Sequence, residues 1–240
     1  MRNTTKYIVI FVLIMTLIVA TILAGMNTFL KPLHDLNEAV YNKKSVLMTI
    51  AGEIDKPIDV LSNQEVQDVF DNNIDELVVD SEGNIVEGVS ADQVLLEAEL
   101  KKPEGERHYP LYVFHKDDGS NIYIVSIRGQ GLWDAIWGNV ALNEDLVTIE
   151  GVSFDHAGET PGLGAEIKDN PSFPASFEGK KIYDEEGNFT SIEVVKGLVR
   201  QPEHQVEAIS GATITMGGVN DMFYEGILNY EPYFEKVQQK

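Results

Sequence analysis

Towards the C-terminal end of the chain the residues SGATIT, Ser210 to Thr215, crowd small side chains and hydroxyls together. The apolar residues that follow, Val219, Met222, Phe223 and Ile227, fall at helical spacing, so the cluster lies at or just before a helix N-terminus. Unpaired amides and the positive end of the helix dipole make that place receptive to a phosphate. The small residues Gly211 and Ala212 permit close backbone approach, and Ser210, Thr213 and Thr215 offer hydroxyls. Simple N-capping by a threonine would explain one hydroxyl and leave the rest of the cluster unexplained. These residues alone do not name the anion.

Further candidate chemistry lies upstream. In HAGETPGLGAEI, from His156, the glycines Gly158, Gly162 and Gly164 with Pro161 form a loop whose backbone can come close to a ligand. Glu159 and Thr160 add an acceptor and a hydroxyl, although a plain surface turn would use the same residues. The loop has neither a phosphate-binding Gly-Lys-Ser/Thr ending nor the dinucleotide fingerprint. GQGLWDAIWGNVAL holds both tryptophans, Trp133 and Trp137. They would suit a ring system such as a flavin, but the simpler expectation is a core or membrane-facing position. His156 and Glu159 could pair on a metal; with no further histidine nearby, a solvated turn is expected instead. His204 could lie near the Ser210 loop. The absence of a Gly-x-Ser-x-Gly elbow disfavours a serine hydrolase.

These segments need a scaffold, and the 240-residue chain, 43% hydrophobic, is long enough for one sizeable domain with an appendage. The appendage is YIVIFVLIMTLIVATILAGM, Tyr7 to Met26, which carries no charged residue. At about 1.5 Å per residue it covers roughly 30 Å, the thickness of a bilayer's hydrocarbon core. It is too long for a signal peptide's apolar run and lacks paired small residues for cleavage. Arg2 and Lys6 before it favour a cytoplasmic N-terminus, and Lys31, Lys43 and Lys44 after it weaken that preference. The remainder carries all 39 acidic residues, against 18 basic ones in the whole chain, for a net charge of -21. Such a surface repels phosphate backbones and excludes nucleic acid as a partner. With no cysteine, disulfides, thiolate-held metals and cysteine nucleophiles are excluded, so any redox chemistry belongs to a bound cofactor.

Periodicity gives the elements. A helix broken at Pro32 continues to about Met48, and Ser62 with Glu65 forms a capping box before Val66, Val69 and Phe70. Strand pairs are expected in DELVVDSEGNIVEG around Gly83-Asn84, in YPLYVFHKDDGSNIYIVSIRG around Asp118-Gly119, in GNVALNEDLVTIEGVSF and in KKIYDEEGNFTSIEVVKG. The fold class is α+β: a single N-terminal transmembrane helix, then an antiparallel-sheet domain with flanking helices. The expected organisation is residues 1–6 cytoplasmic, 7–26 transmembrane, 27–104 a membrane-proximal α+β region and 105–240 the ligand-binding domain.

SGATIT resembles the flavinylation signature Ser/Thr-Gly-Ala-Ser/Thr-x-Ser/Thr, whose last hydroxyl carries FMN through a phosphoester; here that position is Thr215. GLWDAIWG, HAGETPGLGAEI and ISGATIT also stand in an order and spacing similar to those of the C subunit of the Na+-translocating NADH:quinone reductase. The flavin-bearing G subunit of the Rnf-type ferredoxin:NAD oxidoreductase resembles the same domain. The tryptophan-rich segment and the large region between anchor and flavin domain favour the quinone reductase.

The resemblance implies one covalent FMN per chain, attached by a separate flavin transferase with FAD as donor. Ser210, Gly211, Ala212 and Thr213 would shape the phosphate loop. Glu159, Thr160, Pro161, Gly162, Leu163 and Gly164 would lie beside the flavin, with Leu132 and Trp133 as neighbours of its ring. It implies an electron-relay component of a bacterial cytoplasmic-membrane complex, single-pass, with its ectodomain on the outer face. No catalytic residue and no metal ligand are assigned, and the partner subunits would couple electron flow to Na+ transport. A membrane-anchored ligand-binding or sensory ectodomain without redox role is the alternative from another class. It predicts a colourless protein with an unmodified Thr215.

Overall fold

The computed structural model describes residues 2–239 and divides the chain into two compact units, Met1–Asn42 and Lys43–Lys240. Helix α1 (Arg2–Met48) begins in the first and ends in the second. In the first unit its apolar side chains, from Tyr7 to Phe29, are exposed, and the helix is long and apolar enough to cross a membrane. The expected break at Pro32 does not occur. The ring removes one N–H from the ladder, and the helix continues through it on both sides.

In the second unit, a five-stranded antiparallel sheet in the order β1-β2-β3-β4-β5 forms the frame: β1 (Ile74–Asp80), β2 (His108–His115), β3 (Asn121–Gln130), β4 (Ala135–Leu142) and β5 (Ile149–His156). Strands β1 and β2 pair in full register from Ile74↔Phe114 to Asp80↔His108, so one sheet joins residues on both sides of position 105. Alternation sends Val125, Ile127, Ile136, Val140 and Phe154 to one face and Ile122, Ile124 and Ala141 to the other. Three short helices, α3 (Leu96–Glu99), α4 (Glu166–Asp169) and α5 (Ser172–Ala175), precede helix α6 (Thr213–Leu228), which covers the first face and buries Met216, Val219, Met222, Phe223 and Ile227. The helix comes so close that a Cβ on Gly218 would stand 2.1 Å from the carbonyl oxygen of Gln130. The second face is covered by Val46, Leu47 and Ile50, at and just beyond the end of α1, and by helix α2 (Asn63–Asn73) through Val66 and Phe70. Ser45 reaches a buried polar network there: Asn139 donates to Ser45 Oγ (3.1 Å) and Ser153 Oγ (3.3 Å) and accepts from Ser126 (2.7 Å).

The capping box at α2 is present, with Glu65 N donating to Ser62 Oγ and Ser62 N donating to Glu65. The hairpins β2–β3 and β4–β5 form as expected. Two expected pairs are reduced to isolated bridges, Val79↔Ile85 and Tyr183↔Phe189. Beyond Phe189, Ser191 adopts a left-handed backbone (φ 59°) that turns the chain out of the hairpin. The next residues, β6 (Glu193–Val195), pair in parallel with β7 (Gln205–Glu207), which leads into α6.

Candidate functional site

Three chain segments meet at one end of the sheet. Pairing of β4 with β5 ends at Ile136↔His156 and extends to Ala157 N donating to Ala135 O (3.0 Å), which sets the 157–164 loop beside the β3–β4 connection. That connection is a tight turn closed by Gly131 N donating to Asp134 O (2.8 Å). The close approach of α6 to Gln130 brings the helix start to the same place.

Thr215 is the third residue of α6, and its Oγ1 donates to Glu159 Oε2 at 2.8 Å. The other carboxylate oxygen, Oε1, accepts from Trp133 N (2.9 Å), and Glu159 N donates to His156 Nδ1 (3.2 Å). Above them, Trp133 Nε1 donates to Thr160 Oγ1 (3.1 Å). Glycines enclose the carboxylate. A Cβ on Gly131 would lie 2.4 Å from Oε1, and one on Gly164 would lie 2.2 Å from Oε2 and 2.7 Å from Thr215 Oγ1.

Several expectations change. Glu159 is not in a solvated turn: it is 4% exposed and Thr215 is 1% exposed. The His156 ring accepts from the Glu159 amide while the carboxylate turns towards Thr215 and Trp133, so the two side chains do not form a metal pair. Neither tryptophan is in the core. Trp133 is 69% exposed in the turn, and Trp137 lies on β4, half-buried under the Arg128 guanidinium. His204 donates from Nδ1 to Lys181 O (2.6 Å) and so is held on the 181–190 segment. Threonine capping is also set aside: the N-cap is Ala212, with no side-chain cap. Thr213 is the first helical residue, and Ser210 and Gly211 form the exposed turn before it.

Thr160, Pro161, Gly162 and Leu163 lie exposed over the site, and Gly164 is buried beneath them. Leu163 lies against Gly211, where a Cβ would be 2.7 Å from Leu163 Cδ2. Leu132, Trp133, Leu163 and Ile214 leave large apolar side chains exposed around it. Two residues of the site, Gly131 and Ile214, do not stand out in the sequence. The signal for Gly131 is its place between a strand and the Leu-Trp pair, and Ile214 fills the variable position of the signature.

The class this fold and site define is that of the FMN-binding domains: the family model so described matches residues 131–227, from Gly131 to Ile227 near the end of α6. The chain is 31% identical to the C subunit of the Na(+)-translocating NADH-quinone reductase of Pseudomonas aeruginosa, over 93% of this chain and 91% of that protein. Against the corresponding protein of Neisseria meningitidis serogroup A, identity is 32% over 95% and 93%. The crystal structure of the Parabacteroides distasonis C subunit superposes with a TM-score of 0.73 at 34% identity, covering 85% of this chain and 96% of that one. That of Shewanella oneidensis NqrC gives 0.68 at 26% identity, covering 83% and 100%. The chain belongs to the family of the C subunits of the Na(+)-translocating NADH-quinone reductase.

Proposed function

We propose that this chain is the membrane-anchored electron-carrier subunit of a sodium-translocating NADH:quinone reductase, bearing one FMN in phosphoester linkage on Thr215. One observation carries the proposal: the two halves of the sequence pattern, ETPGLG and SGATIT, meet in a buried 2.8 Å hydrogen bond between Glu159 and the Thr215 hydroxyl. The residues present suit the group. The start of α6 has no side-chain cap, which leaves its first amides for a phosphate. Ser210, Gly211, Ala212 and Thr213 lead into that helix start with small side chains, and the absence of a Cβ at Gly131 and Gly164 makes room for the Glu159 carboxylate beside Thr215. Leu132, Trp133 and Leu163 provide an exposed apolar surface for an aromatic ring, and Thr160, Pro161 and Gly162 border it.

FMN supplies reversible electron transfer when bound. The chain holds it in place: a covalent tether retains a carrier that would otherwise be diluted away outside the cytoplasm. Residues 7–26 anchor the protein in the bacterial cytoplasmic membrane, with the N-terminus inside and the ectodomain on the outer face. Along the chain, residues 27–104 stand between the anchor and the flavin site and lend β1 to the sheet that residues 105–240 carry on to that site. No acidic residue lies within the apolar run, so the ion pathway belongs to partner subunits. Maturation requires a flavin transferase using FAD. Similarity to the quinone reductase relatives over nearly the whole chain favours this reading over the Rnf-type G subunit.

The test is intact mass and visible spectrum of the chain coproduced with a flavin transferase, wild type beside Thr215→Ala. We expect wild type to be yellow and heavier by one FMN residue, and the variant to be colourless and lighter. Equal masses without a visible band would refute the electron-carrier role and leave the sensory ectodomain.

A further inference from the structure

We propose that Glu159 is the general base for phosphoester formation at Thr215, so that the acceptor chain, and not only the transferase, supplies catalytic machinery for its own modification. This rests on Thr215 being the attachment site. In the step, Thr215 Oγ1 attacks the phosphorus of the FMN half of FAD. The Oγ1–P bond forms, the pyrophosphate P–O bond breaks, AMP leaves with the electron pair, and the Oγ1 proton passes to Glu159 Oε2. No oxidation or reduction takes place.

Geometry supports the assignment first. A general base must lie within hydrogen-bond reach of the proton that it takes. Oε2 is 2.8 Å from Oγ1, with the hydroxyl as donor, and Oε1 is held by Trp133 N at 2.9 Å. The glycines at 131 and 164 fit closely around both carboxylate oxygens, which fixes the acid at Oγ1.

The choice of residue type supports it next. Glu159 is buried, and burying an acid costs more than burying an amide of the same shape. A glutamine could still accept from Trp133 N and reach Thr215, so joining the two segments does not by itself require a carboxylate. What only the carboxylate adds is a site for the hydroxyl proton.

The product supports it as well. A phosphodiester brings a negative charge to Oγ1, and a charged carboxylate beside it would be repelled. Having taken the proton, Glu159 is neutral and has an O–H to donate to a phosphate oxygen. For the nucleotide to reach Oγ1, the Thr160–Gly164 turn that covers it must lift. That turn is exposed from Thr160 to Leu163 and is tied to Trp133 by the Nε1–Thr160 hydrogen bond.

The experiment follows the initial rate of FMN mass gain on the full-length chain in detergent, with transferase and FAD. Wild type, Thr215→Ala, Glu159→Gln and Glu159→Asp are compared, each with a thermal melt before modification. We expect Glu159→Gln to melt at or above the wild-type temperature and to gain mass about 100-fold more slowly, the lower end of general-base contributions. Glu159→Asp, which keeps a carboxylate, should regain part of the rate. Glu159→Gln modified at the wild-type rate, or Glu159→Asp no faster than Glu159→Gln, overturns the role of Glu159 and leaves Thr215 as the attachment site. A folded Glu159→Asp chain that gains no mass overturns it even where Glu159→Gln fails to fold. Wild type gaining no mass, or Thr215→Ala gaining as much, overturns the attachment itself.

Discussion

At Gly164 a single methyl group has nowhere to go. It would stand 2.2 Å from Glu159 Oε2 and 2.7 Å from Thr215 Oγ1, so the turn or the carboxylate must shift. Two residues earlier, Gly162 has open space but a positive φ of 75°. The two substitutions should therefore separate. Gly164→Ala is expected to lower stability by about 1–3 kcal/mol, as overpacking does, and to abolish flavin attachment by moving the Thr215–Glu159 pair. Gly162→Ala should cost about 1 kcal/mol of backbone strain and slow attachment less than Gly164→Ala does, because its Cβ meets neither Glu159 nor Thr215. Melting curves and intact mass with the transferase check both. In the sequence these glycines read as one loop-forming set. Nothing local tells them apart, because a close approach depends on the segment opposite, and Glu159 and Thr215 are distant along the chain. The same limit hides the burial of Glu159: a carboxylate among glycines and a proline reads as solvated until its partner is known.

Elements are legible where one local rule decides them. The α2 capping box is a contact between residues three apart, and the Asp118-Gly119 turn closes a hairpin of adjacent strands. The 181–195 segment misleads because its outcome rests on β7 and on a left-handed serine, which alternation does not report. The β4–β5 connection shows how one side chain holds such a turn. Asp145 Oδ1 accepts from Val147 N (2.9 Å) and Thr148 N (2.8 Å), and Oδ2 accepts from Thr148 Oγ1 (2.6 Å). Burial alone would raise the Asp145 carboxyl, but the bonds from Thr148 and Val147 outweigh it and hold the group below its ordinary 3.8. The folded value is thus lower than the unfolded one. The stabilisation is complete above the unfolded value and disappears as pH falls through the folded one. Because the residue is exposed, about 0.5–1 kcal/mol is expected, not the larger value of a buried charged bond. Asp145→Asn should melt lower than wild type at neutral pH, with the gap closing in acid. A gap that persists unchanged below the carboxylate range would show that charge is not the cause.

On the scale of the whole molecule, an apolar helix and an acidic globular unit share one continuous segment, and where one ends and the other begins is a question of packing. Apolar spacing alone leads to a boundary at residue 26, where the charge-free run stops. The core begins later and within the same helix: Val46 and Leu47 are buried, Ile50 follows them, and Ser45 bonds into the Asn139 network. The compact unit accordingly starts at Lys43. Two truncations should then behave differently although only eight residues separate them. A chain starting at Lys43 loses the exposed apolar helix and keeps every buried side chain of the sheet's second face. It should be soluble without detergent, melt cooperatively and still accept FMN from the transferase. A chain starting at Ala51 also loses Val46, Leu47 and Ile50, three side chains exposed by at most 3%. At about 2–5 kcal/mol for each large apolar side chain removed from a core, the loss is comparable to the whole stability of a domain. That chain should be unfolded or molten, with Ile122, Ile124 and Ala141 uncovered. Near-UV circular dichroism and thermal melts distinguish the outcomes. Equal melting temperatures for the two chains would mean that the end of α1 belongs to the anchor alone and adds nothing to the flavin-bearing unit.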